Sequence, residues 1–345
     1  MIRKIIYIVV FLFLLWACRK TDVRAPAPTP YTLQLPSYFP ATVYDMAQNP
    51  LTNEGIALGK RLFYDNRLSK DSTVSCGFCH QQFAAFSHYD HPLSHGVENR
   101  TGTRTVPALF NLIYQKDFMW DGGVNNLEIQ PLTPLTDPNE MGEDLQRVVD
   151  KLQSNAVYRK MFKAAFGSEE VTTQRTFRAL AQFMATMNSF ESKYDSVMRR
   201  EKTFTAEEQN GYAVFQAKCA SCHKEPLFTD GSFRSNGMPY NPSLNDVGRM
   251  KITNSTADYM KFKVPSLRNI LRSQPYMHDG RFYDIFLVFE HYDSGIFENA
   301  NPDPILKSGI PLSDKEQREL YFFLMTLTDM NYINNEALKE IIVND

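Results

Sequence analysis

The 345-residue chain has almost no net charge: 37 Lys and Arg stand against 39 Asp and Glu, a formal −2. It has no run of basic residues either, so it lacks the electrostatic footprint of a nucleic-acid partner. Its amino-terminal apolar run, Ile5 to Ala17, holds only thirteen residues. As a helix at ~1.5 Å per residue that run measures about 20 Å, too short for a hydrocarbon core of ~30 Å. An even cysteine count is missing too. Five cysteines do not make a plain disulfide framework. No stretch alternates apolar and polar residues for long, which argues against a β fold. What the chain does have is length for two domains, with 43% hydrophobic residues and 22% charged ones. That composition supports a sizeable core and excludes global disorder.

The amino terminus reads as an address. Arg3 and Lys4 precede the apolar run, which ends Leu14-Leu15-Trp16-Ala17-Cys18. A basic start, a short apolar stretch and a small residue at the cut describe a secretory signal peptide, residues 1–17. Ala17-Cys18 resembles a bacterial lipobox, although Trp16 is bulky for its place; a plain secreted protein is the alternative. On the lipobox reading Cys18 is lipidated, and the protein is held on a membrane without spanning it. Pro26, Pro28, Pro30, Pro36 and Pro40 follow. Residues 18–43 therefore read as an extended tether, with folding expected from about Tyr44.

The other four cysteines fall into two identical patterns. They are Cys76-Gly77-Phe78-Cys79-His80 and Cys219-Ala220-Ser221-Cys222-His223, 143 residues apart. Two thiols on one turn can add to the two vinyl groups of a haem, and the adjacent histidine then becomes the axial ligand of the iron. A redox dithiol needs a βαβ context that is not visible here. Structural zinc would bring its cysteine pairs closer together and gives no reason for both histidines. Two c-type haems are the expectation, with His80 and His223 as proximal ligands. Their attachment requires an oxidising, exported setting, in agreement with the signal peptide.

The flanks of both patterns read as helix. Ile56, Gly59, Leu62 and Phe63 form a stripe before the first, and Thr205-Ala206-Glu207-Glu208 opens a helix before the second as a capping box. Phe177, Leu180, Ala181, Met184 and Met187 close the first half. Ser313 to Glu316 caps a last helix carrying Leu320, Phe323, Leu324 and Leu327. Each half thus reads as helix, attachment turn, long irregular region and closing helix. The expected fold is mainly α: two cytochrome c-like domains, 44–200 and 201–345, each with one covalently bound haem.

The chain resembles the bacterial diheme cytochrome c peroxidases and their MauG-type relatives. The likeness runs from about Gly55 to Leu327. It rests on Leu58-Gly59-Lys60-Arg61-Leu62-Phe63-Tyr64-Asp65, both haem patterns, Phe118-Met119-Trp120-Asp121-Gly122-Gly123 and Glu140-Met141. It rests also on Ser266-Leu267-Arg268-Asn269 and Pro275-Tyr276-Met277-His278-Asp279-Gly280. The resemblance implies that the first haem meets peroxide and the second stores electrons. Glu140, twenty residues after Trp120, matches the family's acid/base; Gln130, ten after, matches its distal amide. A carboxylate suits proton transfer when a dry pocket brings its pKa towards working pH. Trp120 matches the tryptophan between the haems.

Distal ligands are less determined. His88, His91 and His95 all follow the first pattern, and His95-Gly96 resembles the histidine that caps the first haem in some members. On the second side the peroxidases place a methionine fourteen residues after the equivalent of His278; here that position is Tyr292, as in the MauG type. Met277 and His291 are nearby rivals. A thioether ligand raises a haem potential, whereas an anionic phenolate lowers it. Thr105, Ser273 and Pro275 match the family's calcium positions. Thr105 replaces an asparagine there, and a hydroxyl is the weaker calcium ligand. His278 is expected to play a structural part beside Trp120.

Three functions compete. The first is a peroxidase that reduces hydrogen peroxide to water with electrons from a small cytochrome c or cupredoxin-type donor, in the periplasm or cell envelope. The second is a MauG-like enzyme that uses peroxide to oxidise a partner protein, favoured by Tyr292. The third is a non-catalytic diheme electron carrier, against which Glu140 and Gln130 argue. A homodimer is left open.

Overall fold

The computed structural model describes residues 27–298 and 301–343. Residues 1–17, read as a signal peptide, and Cys18 lie outside the described residues. Among those described, no helix is long and apolar enough to cross a membrane.

Helices α1 (Asn53–Phe63), α2 (Cys76–Cys79), α3 (Leu132–Thr136), α4 (Leu145–Ser154), α5 (Ala156–Phe166) and α6 (Thr173–Ala185) make the first half. Helix α7 (Lys193–Met198) leads to the second. There α8 (Ala206–Lys218), α9 (Met250–Thr253), α10 (Ile285–Ser294), α11 (Asp314–Met325) and α12 (Met330–Ile333) follow. Two short strands, β1 (Phe233–Arg234) and β2 (Phe262–Lys263), pair antiparallel. Long irregular stretches separate the helices, as the sequence pattern implies. Met187 and Leu327, read as the ends of the closing helices, lie just beyond α6 and α11 but remain fully buried.

Each half is built on one crossing of two helices. Thr52 caps α1, and both Thr205 on α8 and Ser313 on α11 form full capping boxes with Glu208 and Glu316. Such caps satisfy amide donors that the first turn leaves free. Helix α1 packs against α6, and α8 against α11. Close approach needs a residue without a side chain at each crossing. A Cβ on Gly59 would collide with the Ala179 carbonyl, and one on Gly211 with the Glu319 carbonyl. Four residues on from each glycine, Phe63 and Phe215 are buried in the two main cores. Burying a phenylalanine contributes roughly 1.5–3 kcal/mol.

Two segments depart from the expected boundaries. Residues 29–40, read as part of the tether, are packed. Thr29 bonds Glu54, Leu33, Leu35 and Phe39 join a small apolar cluster, and the Tyr38 hydroxyl donates to Asp195 at 2.8 Å. Proline spacing suggests an extended tether, but the leucines and aromatics between the prolines find an apolar surface. The end of the chain, by sequence part of the second half, crosses back onto the first. Tyr332, Ile333 and Leu338 belong to its core, and Tyr64 donates to the Leu338 carbonyl at 2.7 Å.

Candidate haem and peroxide site

Both attachment patterns are single helical turns. Ser75 caps the first, and the His80 amide donates back to the Cys76 carbonyl at 2.8 Å. The second closes α8, with the His223 amide on the Cys219 carbonyl at 3.0 Å. One turn therefore sets two thiols and an imidazole side by side. All four cysteines are free and half-buried.

One cavity of about 1360 Å³ joins the two turns; Cys76, Cys79, His80, Cys219, Cys222 and His223 all line it. It exceeds the ~300–1,000 Å³ typical of a site for one drug-sized ligand. Its other walls include Phe63, Leu109, Leu180, Phe215, Leu267 and Leu324. Apolar walls of this kind suit a porphyrin face.

The histidines are prepared as ligands. His80 Nδ1 lies 2.7 Å from the Phe86 carbonyl, and His223 Nδ1 lies 3.2 Å from that of Phe228 and 3.1 Å from that of Pro265. A carbonyl can only accept, so Nδ1 carries the hydrogen and Nε2 keeps its lone pair. Burial lowers both imidazoles, His80 to about 4, so each is neutral at physiological pH. Neutral imidazoles with a fixed tautomer, each beside two thiols on an apolar cavity, fit two covalently bound haems. The carbonyl partners were not anticipated from sequence. The only sign is that Phe86 and Phe228 sit six and five residues after the respective histidines.

Glu140, Gln130 and Trp120 line the same cavity, with His95. Burial raises the Glu140 carboxyl to about 7, and the Asp137 charge adds to the effect. The Gln130 amide lies 3.7 Å from the Met119 sulphur. The Trp120 indole donates to the Thr105 carbonyl at 2.9 Å, and the Thr105 amide donates to the His278 carbonyl at 2.8 Å. Trp120 is thus joined through one residue to the second half. His278 is buried and stacks on Phe262 with centroids 3.8 Å apart.

Of the three histidines after the first turn, His95 reaches the cavity wall. His91 packs edge-on against it and is itself stacked on His88. His88 is buried, with Nε2 on the His91 carbonyl. On the second side Tyr292 and Met277 line the cavity. Burial pushes the Tyr292 phenol up to about 12. His291 Nε2 is engaged by the Asn236 carbonyl at 2.8 Å.

Thr105, Ser273 and Pro275 also line the cavity. They offer calcium only neutral oxygens, and the Thr105 carbonyl is occupied by the Trp120 indole. Among the described residues no group of three or more His, Cys, Asp or Glu converges on a metal position. Calcium also takes backbone carbonyl oxygens, and Ser273 and Pro275 carry such groups, with the Thr105 hydroxyl as the weaker third position.

The structure exposes an internal repeat that reading along the chain missed. Phe118-Met119-Trp120-Asp121-Gly122 and Tyr276-Met277-His278-Asp279-Gly280 adopt one loop. Phe118 bridges Val124, and Tyr276 bridges Phe282. Met119 and Met277 both have positive φ, 67° and 71°. Trp120 and His278 are therefore equivalent positions of the two halves, linked through Thr105. The repeat is hard to see because the stretch from proximal histidine to the following Pro107 or Pro265 is 27 residues in one half and 42 in the other.

Comparisons with known proteins agree. Residues 53–203 match the family described as di-haem cytochrome c peroxidase. The methylamine utilization protein MauG of Methylorubrum extorquens is 36% identical over 300 residues, 84% of this chain and 82% of that protein. The cytochrome c551 peroxidase of Nitrosomonas europaea is 35% identical over 239 residues, 68% and 71% of the two chains. A solved MauG-like protein associated with microbial copper homeostasis superposes with a TM-score of 0.84 at 30% identity, covering 90% of this chain and 99% of its own. The diheme peroxidase BthA of Burkholderia thailandensis shares the fold, with a TM-score of 0.73 at 22% identity and coverage of 92% and 96%. With two attachment turns, two prepared histidines and one shared cavity, the chain belongs to the di-haem cytochrome c peroxidase and MauG family, mainly helical proteins of two cytochrome c-like domains with two c-type haems.

Proposed function

We propose that the protein is a peroxidase that reduces hydrogen peroxide to two waters with two protons and two electrons from a small exported carrier protein, a cytochrome c or cupredoxin. The observation that carries this reading is the Glu140 carboxyl, raised by burial to about 7 on the wall of the cavity that His80 and Trp120 also line. The haem on His80 supplies the iron that meets peroxide and the redox chemistry that breaks its O–O bond. Glu140 accepts the proton of the nearer peroxide oxygen and returns it to the farther one, which leaves as water. A carboxyl near neutrality can do both; one at its ordinary value is too weak a base. Gln130 orients peroxide through its amide. Trp120, bonded towards His278 through Thr105, passes electrons between the halves. His95 would hold the first haem in a capped resting form, and Tyr292 would hold the second.

The domains are taken as 44–200 and 201–345, after a leader of 1–17 and a Cys18-anchored segment of 18–43, with residues 29–40 packed on the fold and the carboxy-terminal end returned to the first core. Export and a lipid anchor place the protein in the cell envelope.

A second reading is favoured by Tyr292 on the cavity wall. A phenolate-held second haem is a poor high-potential reservoir and suits oxidation of a partner protein. Several relatives in the family carry the name MauG.

Stopped-flow oxidation of a reduced small cytochrome c by peroxide tests the proposal, with and without prior half-reduction. Turnover is expected, and dependence on half-reduction would support the His95 cap. No turnover, together with a long-lived oxidised species, would favour the second reading. Glu140→Gln should retain both haems and lose turnover by about 10²–10⁴-fold.

A further inference from the structure

One half-buried positive charge on the cavity wall has no carboxylate partner among the described residues. The lysines and arginines that line the cavity are Arg104, Lys116, Lys218, Arg234, Lys251 and Lys263. Lys116 and Lys251 are exposed. Arg104 is held by Asp121 and Asp246, Lys218 by Glu316, and Arg234 by Asp230 and Asp303. Lys263 is different. Its ammonium donates to Gln115 Oε1 at 2.8 Å and to the Asp117 carbonyl at 2.7 Å, both neutral oxygens. Asp117 thus meets it with its backbone, and the Asp121 carboxylate is taken by Arg104. An ammonium has three N–H groups, so one is left for the cavity that Lys263 lines.

The backbone fixes where this charge sits. Lys263 stands in β2, and its amide donates to the Trp120 carbonyl at 2.7 Å. Its strand neighbour Phe262 points the other way and stacks on His278. Gln115, Asp117 and Trp120 belong to the first half. A lysine of the second half is therefore anchored on the first through main chain and side chain alike. Burial lowers its ammonium to about 8. Taking a charge out of water costs free energy that neutral oxygens return only in part, so the position favours an anion.

We propose that Lys263 is the counter-charge of a haem propionate at the seam between the halves, and that it thereby holds up the potential of that haem. This rests on the two haems of the family and not on the peroxidase reading. Each haem brings a pair of propionate carboxylates, and in an apolar cavity a carboxylate needs a cation. A carboxylate near the iron stabilises the oxidised, more positive haem and lowers its potential; an ammonium on that carboxylate cancels the effect. Lysine suits the task as a compact point charge with a free donor. Arg104, the other cation at this seam, is already committed to two aspartates.

The test uses the holoprotein with both haems attached, read by spectroelectrochemical titration of each haem and by the propionate bending bands of resonance Raman spectra. Lys263→Gln keeps a hydrogen-bonding amide and removes the charge. The haem that Lys263 serves should then show a lower potential and a shifted propionate band, with the other haem unchanged. Its potential should also become pH-dependent near neutrality, because an unpaired carboxylate in a dry cavity takes up a proton on reduction. Lys263→Arg should keep the potential of the parent. If Lys263→Gln lowers the denaturation midpoint but moves neither potential, Lys263 is a structural clasp and the proposal is overturned. The same holds if Lys263→Arg lowers the potential as far as Lys263→Gln does. Should Lys263→Gln fail to load haem, a crystal structure of the unaltered holoprotein decides. A propionate oxygen within about 4 Å of Lys263 Nζ sustains the proposal, and none there overturns it.

Discussion

At the scale of single residues the cavity works by removing water from groups that need it to stay charged. Glu140 rises to about 7 and His80 falls to about 4 chiefly through desolvation of the charged form. Lys263 shows the same effect on the cavity wall. Its ammonium is held by Gln115 Oε1 at 2.8 Å and the Asp117 carbonyl at 2.7 Å, and burial lowers it to about 8 against the charges of Asp117 and Asp121. For Glu140 the sign gives a pH dependence. Proton abstraction requires the ionised form, so kcat/KM for peroxide should be level above pH about 7 and fall about tenfold per unit below it. A limb centred near 4.5 instead would mean a solvated carboxylate. The roles of Glu140, Gln130 and Trp120 were legible only through spacing within a resemblance. Their residue types alone say nothing, since a surface glutamate and a buried one are written with the same letter.

At the scale of elements, the helices that form the two crossings were legible from capping boxes and apolar stripes. Their tightness was not. Gly211 reads as a mild helix defect in the sequence, whereas in the fold it is the point where α8 lies on the backbone of α11. Two effects oppose each other in Gly211→Ala. Helix propensity favours alanine by about 1 kcal/mol. The added Cβ meets the Glu319 carbonyl and the Phe323 Cβ, which cannot swing away, and overpacking costs about 1–3 kcal/mol. The clash should win. A lowered denaturation midpoint with haem content unchanged is the expected result, and a raised midpoint would show that the crossing can open. Gly59→Ala should behave alike, since its Cβ meets the Ala179 carbonyl on α6.

At the scale of the whole molecule, buried charge ties the halves together. Arg268 of the second half and Asp195 of α7 are both fully buried, with a two-point contact at 2.7 and 2.9 Å. Tyr38 of the amino-terminal segment joins them through Asp195, and Arg268 lies over the Phe39 ring at 5.0 Å. Arg104 makes a second clasp, with Asp121 at 2.6 Å and both oxygens of Asp246 at 2.6 and 2.7 Å. Removing one partner of a buried pair strands the other charge and typically costs about 3–5 kcal/mol. Asp195→Ala should therefore lower stability by about that amount and loosen residues 29–40 together with the domain contact. Limited proteolysis beside a denaturation curve would read both; a loss below 1 kcal/mol would show that Arg268 finds water or another partner.

By itself the sequence determined the covalent chemistry and its local frame. Two C-x-x-C-H turns, their leading helices and the absence of β alternation follow from residue type and short spacing, which act within a few bonds of each other. Packing of residues 29–40, the return of the carboxy-terminal segment to the first core and the link from Trp120 through Thr105 to His278 were decided by tertiary structure. So were the carbonyls behind His80 and His223 and the contact of Asn236 with Met277. Each depends on backbone groups or side chains brought together from distant parts of the chain. Composition and periodicity carry no record of such meetings, because the surface that receives a segment exists only once the rest has folded.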